Sequence, residues 1–152
     1  IKVASNLERI CDYGKNMAKR SLVMEPSLIT EQGSNSLRRM TKDVISMMNN
    51  ALDAYVRKDV ELAEAVIIQD KDIDLHYNAL FREFLTFMME DPKNITTCMH
   101  LHFIAKNIER VGDYVTSIAE QAIYVATGEY PSEERPKADT TSLTKVDSES
   151  AS

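Results

Sequence analysis

The sequence predicts an all-α protein, and three observations indicate this fold class. The 152-residue chain contains only four glycines and four prolines, which is little turn chemistry for a fold of many strands. Hydrophobic residues make up 43% of it, enough to build a packed core. Along four long segments, apolar residues recur at steps of three and four, as they do on one face of a helix.

The first half of the chain is predicted to form two helices. The first covers about residues 1–23 and ends before Pro26, because the residue that precedes a proline is disfavoured in helical geometry. Residues 33–35, with the sequence Gly-Ser-Asn, are expected to form a turn and an N-cap. The second helix is therefore predicted for about residues 35–57.

The second half is predicted to form two more helices with clear boundaries. Asp59 is expected to cap a third helix that runs to about residue 89. Asp91 followed by Pro92 is typical of a new helix start, since proline is favoured at the first helical position. Gly128 is expected to end the fourth helix in the left-handed conformation.

These helices suggest a division of the chain into three parts. Long helices joined by short loops pack antiparallel, so residues 34–128 are predicted to be a complete three-helix bundle. Residues 1–25 are expected to be the last helix of a truncated earlier bundle, an orphan helix that promotes a homodimer or other self-association. The chain starts within a helical pattern and without Met, which indicates a fragment. Residues 129–152 are almost without apolar residues, and a disordered tail is predicted there.

Composition and missing motifs exclude several classes of function. A formal net charge of −6 argues against general nucleic-acid binding, which needs a clustered basic surface. The apolar stretches are too short and interrupted for membrane insertion. The two cysteines do not resemble a disulfide framework, which indicates a cytoplasmic protein. The chain has no glycine-rich phosphate loop and no Cys-x-x-Cys, so a non-enzymatic role is predicted.

One acidic motif occurs twice. Residues 6–13 and 107–114 share Asn, Glu, Arg, Asp and Tyr at the same positions, offset by 101 residues, about the length of a three-helix unit. This indicates a tandem repeat. In each copy the Glu and the Asp are four residues apart and share one helix face. The two acidic pairs are Glu8 with Asp12 and Glu109 with Asp113.

A third acidic pair, Asp70 and Asp74, has the same spacing and is expected just off the apolar seam of the third helix. Paired carboxylates from two adjacent helices can hold a hard or borderline cation. His102 lies on nearly the same face of the fourth helix and is a weaker candidate ligand, since a lone His is more often partly buried. The acidic pairs are also compatible with a solvated face, on which Arg110 pairs with Asp113.

The doubled motif resembles the acidic signature of the PhoU family of phosphate-transport accessory and regulatory proteins, and residues 70–74 resemble its second acidic motif. This resemblance implies two similar three-helix bundles, each with a multinuclear metal cluster on its acidic face. Iron and zinc are the implied metals, with manganese or magnesium as alternatives. The implied ligands are Asp70, Asp74, Glu109 and Asp113 for one cluster, with Glu8 and Asp12 as half of the other.

The resemblance also implies a function at the cytoplasmic side of the membrane. Such a protein is a negative regulator of phosphate uptake and of phosphate-starvation signalling, and its partners are a phosphate ABC transporter ATPase and a sensor histidine kinase. The chain departs from the family pattern where Asn6 and Asn107 replace a common Asp and Cys11 replaces a usual Gly. Two alternatives remain: a metal-free helical adaptor and a ferritin-like di-metal enzyme. The enzyme needs Glu-x-x-His pairs that this sequence lacks.

Overall fold

The computed structural model describes residues 1–131, and this part of the chain is all-α. The helices are α1 (Lys2–Ser21), α2 (Leu28–Arg57), α3 (Val60–Glu90) and α4 (Ile95–Thr127), with a 3₁₀ turn at Pro92–Asn94. Helices α2, α3 and α4 contact one another in all three pairs and form a three-helix bundle, while α1 packs along α4. The predicted fold class, a helical bundle preceded by one long helix, is confirmed.

The start of α2 differs from its prediction. The expected turn at residues 33–35 is wrong, because α2 begins earlier and runs straight through them. Ser27 is the actual N-cap, and its Oγ accepts a hydrogen bond from the Thr30 backbone N–H at 3.1 Å. Gly33 packs against α4 instead of forming a turn, since a Cβ on it would lie 2.6 Å from Cδ1 of Leu101 in α4. The missing side chain lets the two helices approach closely.

The other predicted helix ends agree with the structure. The Asp59 carboxylate accepts a hydrogen bond from the Leu62 backbone N–H at 3.1 Å and caps α3. Asp91 accepts one from the Lys93 backbone N–H at 3.0 Å, although the helix that follows begins with the 3₁₀ turn. Gly128 has a φ of +79°, the left-handed conformation that ends α4.

The segment after α4 returns to the start of α1. The Tyr130 hydroxyl accepts hydrogen bonds from Gln121 Nε2 at 2.8 Å and from Lys2 Nζ at 3.2 Å. Both hydrogen bonds lower the pKa of Tyr130 below its ordinary value, and the one from Gln121 has the larger effect. The Tyr130 ring also stacks on Tyr124, with ring centres 4.6 Å apart. Of the tail predicted for residues 129–152, residues 132–152 lie outside the described part of the chain.

The predicted orphan helix α1 lies antiparallel to α4, because its successive residues contact progressively earlier residues of α4. The contacts are Asn6 Nδ2 with Ser117 Oγ (3.2 Å), Tyr13 with Tyr114 (ring centres 5.8 Å apart) and the Arg20 guanidinium with the Phe103 ring (4.1 Å). Tyr13 and Tyr114 are equivalent residues of the two motif copies, and a local two-fold axis brings equivalent residues together in this way. The two copies therefore face each other about a pseudo-two-fold axis.

Only one side of α1 is covered by the bundle. None of its side chains is fully buried. Its apolar residues are partly buried against the core, and the end of the helix leaves Leu22 85% exposed. By contrast, α4 is surrounded by the three other helices and has 14 buried residues. No described helix is both long enough and apolar enough to cross a membrane.

Candidate metal centre

The acidic pair of α3 is part of the protein interior. Asp70 and Asp74 are both 0% exposed, so they belong to the buried face itself and not to its margin as predicted. The reason is that α3 contacts both α2 and α4, which makes its buried face wider than a single seam. Asn78 continues the four-residue spacing and is also buried. Sequence reasoning missed Asn78, although extending the spacing by one step would have found it.

Three carboxylates from two helices meet between α3 and α4. One oxygen atom from each of Asp70, Asp74 and Asp113 lies within 4.8 Å of the other two. Asp113 is half-buried and belongs to the second copy of the motif on α4. Oxygen donors from carboxylates are the ligands that hard cations prefer, so this group fits a divalent metal ion.

The members of this carboxylate triad, Asp70, Asp74 and Asp113, repel one another when they are ionised, and burial reduces the screening of this repulsion by water. A divalent cation held by all three would offset the repulsion and connect α3 to α4. Asp113 is partly exposed, which leaves one side of the site open for water or a further ligand.

Gly112 allows α4 to come this close to the triad. A Cβ at this position would lie 3.0 Å from Asp70 Oδ1 and 3.8 Å from Ile73 Cγ2. One turn further along α4, buried Thr116 donates a hydrogen bond from its hydroxyl to the Gly112 carbonyl at 3.0 Å. A side chain larger than that of glycine would therefore press against the Asp70 carboxylate. The first copy of the motif has Cys11 at this position.

Glu109, the fourth predicted ligand of this cluster, is buried but paired with a lysine. It is 2% exposed, and its Oε2 lies 3.0 Å from Lys106 Nζ. The same ammonium lies 4.9 Å from the centre of the Tyr77 ring. Glu109 is one helical turn from Asp113 but is not a member of the triad. Sequence reasoning missed Lys106, for which the i,i+3 spacing to Glu109 was the available signal.

The remaining predicted site residues lie elsewhere. Glu8 and Asp12 are exposed on α1, together with Cys11. Within residues 1–131, the triad is the one group of three or more His, Cys, Asp or Glu residues with ligand atoms this close together. The half-buried His102 ring lies beside the rings of Tyr77 and Phe81, with ring centres 5.8 and 5.3 Å away, and is not part of the triad.

The two cysteines are free thiols in different surroundings. Cys11 is exposed, whereas Cys98 is buried in α4. Burial raises the pKa of the Cys98 thiol above its ordinary value, because the thiolate is poorly solvated there. The expectation that they form no disulfide framework agrees with these positions.

The fold and the site together define a class of protein: an all-α bundle with a buried carboxylate group between two of its helices. The family model of the PhoU domain matches residues 37–122, which include all three carboxylates of the triad. The chain belongs to the PhoU family.

Several named relatives support this assignment. The chain is 46% identical over 142 residues to the phosphate-specific transport system accessory protein PhoU homolog of Rhizobium meliloti (strain 1021), covering 93% of this chain and 60% of the relative. It is 43% identical over 139 residues to the protein of that name from Caulobacter vibrioides (strain NA1000 / CB15N), and the match covers 91% of this chain and 60% of the relative. The protein of the same name from Xylella fastidiosa (strain 9a5c) is 42% identical over 147 residues, which cover 97% of this chain and 62% of the relative. The chain thus spans about 60% of the length of these relatives.

Proposed function

We propose that this protein is a negative regulator of phosphate uptake and of phosphate-starvation signalling. Its relatives are named as accessory proteins of a phosphate-specific transport system. In this proposal the chain acts at the cytoplasmic side of the membrane by binding a phosphate ABC transporter ATPase and a sensor histidine kinase. It has no catalytic activity, does not insert into the membrane and does not bind nucleic acid.

The observation that carries the proposal is the carboxylate triad inside a PhoU domain. We infer that it holds a metal, with an iron or zinc cluster as the first candidate and manganese or magnesium as alternatives. A metal held by carboxylates of α3 and α4 would fix the relative position of these helices. The shape of the outer surface, and with it partner binding, would then depend on the metal.

Self-association is part of the proposal. The residues that flank α1 include large apolar side chains without cover from the bundle: Ile1 before the helix, and Leu22 at 85% and Val23 at 63% exposure after it. Exposed apolar surface of this kind favours association. We expect dimers or larger species by sedimentation velocity at tens of micromolar, and a clean monomer would contradict this part.

A metal-free helical adaptor is the second candidate, and the Lys106–Glu109 ion pair favours it. This pair shows that part of the buried acidic charge is compensated by the protein itself. An adaptor of this kind would bind the same partners with the triad serving only the fold. The two candidates therefore differ in whether partner binding depends on the metal.

The test is to measure binding of the immobilised chain to the transporter ATPase and to the cytoplasmic part of the kinase from the same organism. Metal-loaded chain, metal-stripped chain and the Asp70→Asn/Asp74→Asn variant are compared, and circular dichroism verifies that helicity is kept. We expect saturable binding by the metal-loaded chain and at least about a tenfold loss for the other two.

Equal binding by all three forms would favour the adaptor. No binding to either partner by any form would contradict the proposed regulatory role. The isosteric asparagines keep the volume of the site and remove its negative charge, so a folded variant is expected.

A further inference from the structure

A groove of about 570 Å³ lies between the end of α1 and the first half of α4. Met99, Phe103, Lys106 and Arg110 follow each other along α4 at steps of four, three and four, so they form one stripe of that helix. Arg20 of α1 also lines the groove. The site is separate from the carboxylate triad, whose members do not line it.

The groove is positively charged on a chain that is negative as a whole. Its lining includes Arg20, Lys106 and Arg110, and among the described residues that line it there is no Asp or Glu. The formal net charge of the chain is −6. Glu109 reaches Lys106 from the buried side and offsets part of the lysine charge. Two arginines remain as permanent positive charges, and such a local concentration attracts anions.

The Arg20 side chain is held in place for binding. Its guanidinium lies 4.1 Å from the centre of the Phe103 ring, and its Nη1 is 3.3 Å from His100 Nδ1. A guanidinium stacked on a ring keeps N–H groups at its edge, where they can bind a phosphate in a bidentate way. Because the side chain is already ordered, less conformational entropy is lost when an anion binds.

A buried donor lines the same groove. The Asn107 side chain is 2% exposed, and its Nδ2 has no hydrogen-bond partner within the described part of the chain. The equivalent residue of the first motif copy, Asn6, donates to Ser117 Oγ at 3.2 Å. A buried amide nitrogen normally has an acceptor, and an oxygen atom of a bound molecule or of its water would provide one.

We propose that this groove binds a small molecule that carries one or more phosphate groups. Two arginines and a lysine favour a doubly or multiply charged phosphate over a single carboxylate. The groove is larger than one phosphate ion, and Phe103, Met99 and Ile95 provide an apolar wall for a second group. This anion site goes beyond the proposed regulatory function and does not depend on a metal in the triad.

The test is isothermal titration calorimetry at low ionic strength on the 152-residue chain, stripped of metal and desalted so that the probe cannot act by chelation. The probes are inorganic phosphate, pyrophosphate, adenosine diphosphate and a glutamate-rich peptide. We expect saturable binding of pyrophosphate or adenosine diphosphate, weaker binding of phosphate and none of the peptide. Tighter binding of adenosine diphosphate would show that the apolar wall contributes, whereas equal binding would assign recognition to the phosphates alone.

The matched variants are Arg20→Gln/Arg110→Gln and, as the control, Arg9→Gln. Arg9 is the equivalent of Arg110 in the first motif copy and is exposed on α1. We expect the double variant to bind at least about tenfold more weakly, since it loses charged hydrogen bonds to the phosphate, and the control to bind as the parent does. NMR spectra of the parent should show shifts of the Phe103 and His100 rings upon titration.

Three outcomes would overturn the proposal. One is the absence of saturable binding of any phosphate probe at millimolar concentration. Another is equal weakening by the control and the double variant, which would indicate a general charge effect. The third is binding of the glutamate-rich peptide alone, which would make the groove a peptide site. The NMR shifts keep the test valid if the double variant fails to fold.

Discussion

The two copies of the acidic motif have nearly the same sequence and very different surroundings. On α4, Glu109 is buried and Asp113 meets the two carboxylates of α3. On α1, the equivalent Glu8 and Asp12 are exposed. The difference shows that the motif supplies only part of a site. A second helix with its own acidic pair supplies the rest, and within residues 1–131 only the second copy has one.

The same contrast holds for the residues around the motif. In and just after the second copy, Gly112, Val115 and Thr116 of α4 are small or apolar, and all three are buried. Their equivalents on α1 are Cys11, Gly14 and Lys15, and all three are exposed. Burial is thus a consequence of the neighbouring helices and not of the motif itself.

The largest expected difference between the copies is in stability. Ile118 is fully buried in α4, and its equivalent on α1 is Met17, which is only partly buried. We expect Ile118→Ala to lower the free energy of unfolding by about 2–5 kcal/mol, because it leaves a cavity, and Met17→Ala to lower it by about 1 kcal/mol. Urea unfolding followed by circular dichroism measures both. Equal losses would mean that α1 is as well packed as α4.

A smaller difference in stability is expected when each of two glycines within the helices is replaced by alanine. A Cβ at Gly14 would have nothing within 4 Å, so Gly14→Ala should raise the free energy of unfolding by up to about 1 kcal/mol through helix propensity. Gly112→Ala brings the same propensity gain but places its methyl group 3.0 Å from Asp70 Oδ1. We expect it to gain nothing, or to be destabilised, in the same urea experiment. An equal gain in both variants would contradict the close approach of α4 to Asp70.

Much of the fold could be predicted because local signals and packing agree. Asp59, Asp91 and Gly128 mark helix ends through chemistry that acts within one turn of the chain, and the structure has helix ends there. Gly33 misled because glycine has two uses, a turn or a close helix contact. The side chain that decides between them, Leu101, is 68 residues away in the sequence.

The candidate site was predictable in part for the same reason. The four-residue spacing indicated Asp70, Asp74 and Asp113, because it is a local property of each helix. It did not show that Glu109 is paired with Lys106, nor that Glu8 and Asp12 are exposed. Those facts depend on which helix lies opposite each pair, and one sequence carries no direct signal for that. Whether the triad binds a metal remains a prediction.

The most direct test of the account compares one substitution in each motif copy. Asp113→Asn changes the triad, and Asp12→Asn makes the same change at the equivalent exposed position. The untagged chain and both variants are titrated with iron(II), zinc and manganese by calorimetry, with elemental analysis of the purified proteins. The account predicts at least about a tenfold weaker affinity for Asp113→Asn and an unchanged affinity for Asp12→Asn. Equal losses in both variants, or no metal binding by the parent chain, would contradict it.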